Sequence, residues 1–238
     1  MSKIFDAYKK RVGDNVDLTV EVGRAGAITL FPPPAGSQQS DFTRLANRIL
    51  DLRLQSRGTV LGFASSAAGE GSSFVSYNAA MILAQIYHQK VAWIDGNLLS
   101  PQAKLRGKGG LTFSALLQDP DLADNLVVDA NPFLIEGGAN LMSIKGIFAD
   151  AKYPELLSLL ARRFDFVILD LPPVLASSDT SLMAASCDGM LLVIEQKFLK
   201  WEIIDHGIQD LKEKGVQVLG SVINRRQFEL PKVIYDRL

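Results

Sequence analysis

One cysteine, Cys187, is all that the 238 residues contain, which excludes an intrachain disulfide framework and any cysteine-cluster metal site and points to a reducing, cytosolic compartment. Histidine is almost as scarce. His88 and His206 each stand without a second ligand at metal-binding spacing, so both read as structural. Charge of one sign is missing too: 25 Lys+Arg against 26 Asp+Glu leave a net charge of -1, and no general electrostatic reason to bind nucleic acid or anionic lipid. Apolar stretches such as Ala79 to Ala84 and Phe166 to Leu169 fall far short of the about 20 residues that span a bilayer. The start, Met-Ser-Lys-Ile-Phe-Asp, lacks the apolar core of a secretory signal, so a soluble chain is expected.

What is present suits one large domain. Apolar residues make up 47% of the chain and charged residues 21%, enough to bury a sizeable core. Apolar, β-branched runs recur at Thr59 to Phe63, Val91 to Ile94, Phe166 to Leu169, Met190 to Ile194 and Val216 to Ile223. Helical patterns lie between most of them. Ser72 to His88 spaces Phe74, Tyr77, Asn78, Met81, Ala84 and Gln85 as one helix, and Glu155 to Arg163 does so with Leu156, Leu157, Leu159 and Leu160. The alternation predicts an α/β fold, a mostly parallel central β-sheet with helices on both faces.

Ahead of the first core strand, an amphipathic segment sets Ile4, Phe5, Tyr8 and Val12 against Lys3, Lys9, Lys10 and Arg11, and the linker Phe31-Pro-Pro-Pro-Ala-Gly-Ser-Gln-Gln follows. The prolines forbid regular structure there. The expected division is an N-terminal arm and Pro-rich linker over 1–38, a phosphate-loop domain over 39–227 and a C-terminal tail over 228–238. Two readings of the arm stand side by side, packing on the domain or docking its apolar face in a partner's groove.

Chemistry concentrates at the ends of strands. Leu61-Gly-Phe-Ala-Ser-Ser-Ala-Ala-Gly-Glu-Gly-Ser-Ser-Phe joins an apolar strand to a helix through small residues, the setting in which backbone N–H groups and a helix N-terminus cradle phosphate. Gly69, Glu70, Gly71, Ser72 and Ser73 are therefore candidate cofactor-binding residues. A full Walker A motif would put lysine after Gly71, but Ser72 stands there, while Ser73 keeps the magnesium-ligand position. Phe166-Val-Ile-Leu-Asp170-Leu-Pro-Pro173 presents Asp170 as a Walker B aspartate at the carboxyl edge of the sheet, and Val91-Ala-Trp-Ile-Asp95 delivers Asp95 to the same edge. Ser73, Asp95 and Asp170 are thus the candidate magnesium ligands.

With the loop and the two aspartates at these spacings, the stretch from about Asp41 to Asn224 resembles the cytoplasmic kinase domain of the BY-kinases, the CpsD/CapB-type bacterial tyrosine kinases of capsule and exopolysaccharide export. The resemblance implies the P-loop NTPase fold of the MinD/ParA/BY-kinase type. The family's loop ends roughly in Gly-Glu-Gly-Lys-Ser; Ser66-Ala-Ala-Gly-Glu-Gly-Ser-Ser matches that ending except at Ser72. Asp170-Leu-Pro-Pro, Asp179, Cys187-Asp-Gly-Met-Leu-Leu-Val-Ile and Leu219-Gly-Ser-Val-Ile-Asn224 look like the later strands, and by resemblance Asn224 is a candidate base contact.

The departures matter as much. The Walker A′ pattern Asp-x-Asp-x-Arg appears as Asp95-Gly-Asn97-Leu-Leu99, and the tyrosine-rich tail is reduced to Tyr235. The oligomerisation signature Glu-x-x-Arg-x-x-Arg survives as Asp41-Phe-Thr-Arg44-Leu-Ala-Asn47, with Arg48 one position late, making Asp41, Arg44 and Arg48, with Ile4, Phe5 and Tyr8, the candidate interface residues. A charge-assisted hydrogen bond contributes about 1.5–3 kcal/mol, so loss of the lysine weakens nucleotide binding roughly 10- to 100-fold. Loss of a donor to developing transition-state charge costs about 2.7–4 kcal/mol, so binding can survive where turnover does not.

The resemblance therefore implies a non-catalytic, pseudokinase-like protein, with ADP or ATP and magnesium bound weakly or not at all. Its expected place is cytoplasmic, peripheral to the inner membrane through a polysaccharide copolymerase partner, with homo-oligomers possible and nucleic acid excluded. Two alternatives compete. One is an active tyrosine autokinase in which Lys104 or Lys145 reaches the phosphates; the other is a positioning ATPase like ParA or MinD, against which Ser66 to Ala68 stand where those proteins carry their signature lysine.

Overall fold

A computed structural model describes residues 20–21, 37–53, 56–98, 112–128, 130–138, 146–196 and 200–225. The strands are β1 (Val20–Glu21), β2 (Thr59–Ser65), β3 (Val91–Asp95), β4 (Phe133–Ile135), β5 (Phe166–Asp170), β6 (Gly189–Glu195) and β7 (Val218–Asn224). The helices are α1 (Ser37–Leu50), α2 (Ser72–Gln85), α3 (Phe113–Gln118), α4 (Lys152–Arg163), α5 (Asp179–Ala185) and α6 (Trp201–Glu213). Every strand pairing is parallel, in the order β1-β7-β6-β2-β5-β3-β4.

The apolar runs are continuous because each central strand is covered on both sides, as a parallel sheet requires. Side chains alternate between the faces. Leu61 and Phe63 of β2 and Phe166 and Ile168 of β5 meet α1 and α2 through Phe42, Leu45, Phe74 and Leu83. Val60 and Ala64, with Val167 and Leu169, meet the other helices through Leu116, Leu156, Met183 and Ile208. An edge-to-face contact between Phe42 and Phe74, centroids 5.7 Å apart, fastens α1 to α2.

Three features depart from the pattern read in the sequence. Val20–Glu21, within the stretch read as an arm, pairs with Val222 and Ile223 at the edge of the sheet. The helix expected to reach His88 stops at Gln85, because His88 turns into a left-handed conformation with φ 53° and Gln89 N–H bonds back to Leu83 O, aiming the chain into β3. Short β4 and α3 carried too few residues for a period to stand out. The linker prolines and residues 228–238 lie outside the described residues.

Chain order reverses around β2: β5 and β3 lie to one side, β6 and β7 to the other. The carboxyl ends of β2, β5 and β6 are therefore the place where open α/β sheets take ligands.

Candidate functional site

The loop Ser66–Gly71 carries β2 into α2. Gly69 and Gly71 have φ of 95° and 93°, which only glycine adopts without strain. At Gly71 there is a second reason: a Cβ would lie 2.2 Å from Asn224 Nδ2. Ser65 Oγ donates to Ala67 O at 2.7 Å. Glu70, expected at the cofactor, turns its side chain into the protein. Its carboxylate accepts from Ala67 N–H at 2.7 Å and Glu195 N–H at 3.1 Å, so it staples the loop to the end of β6. Burial pushes this carboxyl above the ordinary range, against the pull of those backbone donors.

β3 and β5 end side by side, Asp95 in register with Asp170, and both side chains are buried, at 0% and 1% exposure. Ser72 stands at the first position of α2. Its hydroxyl donates to Asp170 Oδ1 at 3.1 Å, and Asp170 Oδ2 has no hydrogen-bond partner of normal geometry. Burial pushes the Asp170 carboxyl up to about 7; the Asp95 charge adds to the rise, and the Ser73 and Ser72 hydroxyls oppose it. Asp95 Oδ1 accepts from Asn97 N–H at 3.2 Å, and Gly96 N–H donates to Asp170 O at 2.9 Å, locking the two strand ends together. The structure thus brings Ser72, Ser73, Asp95 and Asp170 into one cluster.

An unpartnered, buried carboxylate oxygen beside hydroxyls fits a hard cation, which takes oxygen ligands. Among the described residues no three His, Cys, Asp or Glu side chains group as a metal cluster. Two carboxylates and a serine leave most of the coordination shell to water and phosphate, as magnesium in nucleotide sites prefers.

Asn224, expected near a base, has its amide engaged by the protein: Nδ2 donates to Glu70 O at 2.8 Å, and Oδ1 accepts from Arg225 N–H at 2.9 Å. Arg225 was missed by sequence reasoning. With φ 50° it folds back so that one guanidinium nitrogen donates to Gly69 O at 3.1 Å and Glu195 Oε2 at 2.9 Å. A lone arginine after a strand gives no signal of that reach.

The interface candidates Asp41, Arg44 and Arg48 lie on α1, where Arg44 pairs with Asp41 of its own helix, and Asn47 Oδ1 accepts from the Tyr87 hydroxyl at 2.6 Å. Ile4, Phe5, Tyr8, Lys104, Lys145 and Tyr235 lie outside the described residues. Cys187 is half-buried, and burial, with the Asp188 charge, pushes its thiol up to about 12. Among the described residues no helix is long and apolar enough to cross a membrane.

No family model matches the chain. It is 27% identical over 173 residues to the tyrosine-protein kinase CpsD of Streptococcus agalactiae, covering 70% of this chain and 75% of that protein. To the tyrosine-protein kinase wzc of Salmonella typhi it is 24% identical over 188 residues, 72% of this chain but 24% of that longer protein. The solved kinase domain of the Escherichia coli tyrosine kinase ETK superposes with a TM-score of 0.78 over 91% of this chain and 92% of that one, at 20% identity. The same parallel α/β fold also superposes on a ParA family ATPase from Chlorobium tepidum, with a TM-score of 0.58 over 75% of this chain at 18% identity. In sequence, the chain is homologous to the CpsD and Wzc tyrosine kinases.

Proposed function

We propose that this protein is a non-catalytic relative of the BY-kinases that holds ADP or ATP with magnesium weakly and supports capsule or exopolysaccharide synthesis and export. One observation carries the reading: Ser72 stands in the lysine position, and its hydroxyl donates to Asp170, whose other oxygen stays buried and unpartnered. Magnesium would be held by Ser73, Asp95 and Asp170, and the loop amides would take the phosphates. Without the lysine, developing charge on a transferred phosphoryl group loses a cationic donor. Asn97, neutral where the related kinases carry a carboxylate, cannot accept a proton as a base. Binding therefore outlasts turnover.

The reading places the chain in the cytoplasm, peripheral to the inner membrane, docked on a polysaccharide copolymerase. Its support is the homology to wzc, in which the matched region is 24% of a longer chain, and the resemblance to export-associated kinases. Self-association through Asp41, Arg44 and Arg48 belongs to the same reading.

Calorimetric titration with ADP and ATP plus magnesium tests it, with phosphotyrosine formation followed in parallel. Weak binding by the wild type, binding tightened about 10- to 100-fold by Ser72→Lys, and loss in Asp170→Ala are expected. Phosphate transfer from ATP to tyrosine by the wild type that disappears in Asp170→Ala would overturn the non-catalytic reading. Absence of binding in both wild type and Ser72→Lys would overturn the nucleotide reading.

A further inference from the structure

Two consecutive peptide units of the phosphate loop are held from one side by the end of β7. Arg225 donates to the carbonyl of Gly69, and Asn224 donates to the carbonyl of Glu70. Both peptide bonds are trans, since the one cis bond among the described residues is Asn131-Pro132. In a trans unit the N–H points opposite to the C=O. Drawing the Gly69 and Glu70 carbonyls toward β7 therefore turns the N–H groups of Glu70 and Gly71 the other way. Neither N–H donates to a protein acceptor among the described residues. Successive N–H groups left in this way form an anion-receiving concavity.

We propose that Asn224 and Arg225 are positioning residues that hold the phosphate loop in its anion-receiving form before any ligand arrives. The inference rests on the reading of this loop as a phosphate site, and gives Asn224 a task other than contact with a base. The two side chains are themselves braced. Arg225 is anchored by Glu195, whose own N–H is held by Glu70, and the Asn224 carbonyl oxygen accepts from Arg225 N–H. The left-handed backbone of Arg225 is the local cost of this arrangement, whereas Gly71, against which Asn224 Nδ2 packs, adopts its own without strain. In a loop without its lysine, backbone donors must take the phosphate largely alone. Pre-setting them avoids ordering the loop on binding, a cost that otherwise subtracts from affinity.

The experiment combines backbone ¹⁵N relaxation of Gly69, Glu70 and Gly71 in the ligand-free full chain with ADP–magnesium titration, on wild type, Arg225→Ala, Arg225→Lys and Asn224→Asp. In the wild type, order parameters near the rigid value of about 0.85 are expected, falling below about 0.6 in Arg225→Ala and Asn224→Asp while residues of β7 stay rigid. ADP affinity should fall about tenfold in both. Arg225→Lys, which keeps one donor for Gly69 O, should recover part of each loss. An Arg225→Ala loop as ordered as the wild type, or mobility that spreads equally through β7, would overturn the proposal. If the wild type binds no ADP, the nucleotide reading fails alone, and the order parameters still decide whether β7 holds the loop.

Discussion

The two ends of the same sheet treat their carboxylates in opposite ways. At the amino ends of the strands, Asp188 is gripped by the fork of Arg57 and also accepts from Val60 N–H at 2.8 Å. Asp165 likewise accepts from Arg53 at 2.6 Å and Lys90 N–H at 2.8 Å. These groups are partly exposed and fully engaged. At the carboxyl ends, Asp95 and Asp170 face each other in the core, and one Asp170 oxygen has no partner. Carboxylates that only hold a fold are paired where water can help. A pair buried together against its own charge costs stability, and that cost makes sense when a ligand is to offset it.

The contrast is open to experiment, and its largest expected effect lies at Asp170. Its folded carboxyl, raised from 3.8 to about 7, holds its proton longer than in the unfolded chain. Stability from this group is therefore full below about pH 4, is lost as pH rises toward 7, and stays low above that, a difference of about 4 kcal/mol. Asp170→Asn should flatten this slope and raise stability at pH 8, while abolishing magnesium-dependent nucleotide binding. Urea denaturation at pH 5 and pH 8 reads the slope; an equal slope in both proteins would mean that Asp170 is not the buried acid.

Asp188→Ala should move the other way. Removing it strands Arg57 and the Val60 N–H, and a loss of about 1–2 kcal/mol is expected, moderated because the Arg57 side chain is 40% exposed. Denaturant midpoints measure it, and nucleotide affinity should stay unchanged. Tyr87→Phe, which removes the hydroxyl bonded to Asn47 and loosens the tie between α1 and the turn that follows α2, should cost about 0.5–1 kcal/mol. Smallest is Arg53→Ala: its pair with Asp165 is 48% exposed on the arginine side, so a loss under about 1 kcal/mol, vanishing in high salt, is expected. A larger loss there than at Asp188 would erase the distinction between forked and simple pairing.

Much of the architecture was legible in the chain. All five apolar runs became strands, and Asp95 and Asp170 stand at strand ends as their motifs required. The missing elements were short or lay beside proline and glycine: β4 has three residues and β1 two, too few for a hydrophobic period. At the site, the glycine loop and the strand-end position of each aspartate could be read because each rests on a contiguous stretch of sequence. Glu70 could be placed in the loop but not turned inward, since nothing local says that its carboxylate will find the backbone of Glu195.

The strands, the glycine turn and the absent lysine are properties of neighbouring residues, so the sequence by itself determined a parallel α/β domain with an altered phosphate loop. Contacts between distant residues were decided by the tertiary structure. Ser72 meets Asp170 across 98 residues of chain, and Asn224 and Arg225 meet the loop across 154 and 156. Only the stacking of β7, β6, β2 and β5 in that spatial order brings those ends to one edge, because strand order, unlike strand period, is set by how the helices pack the sheet.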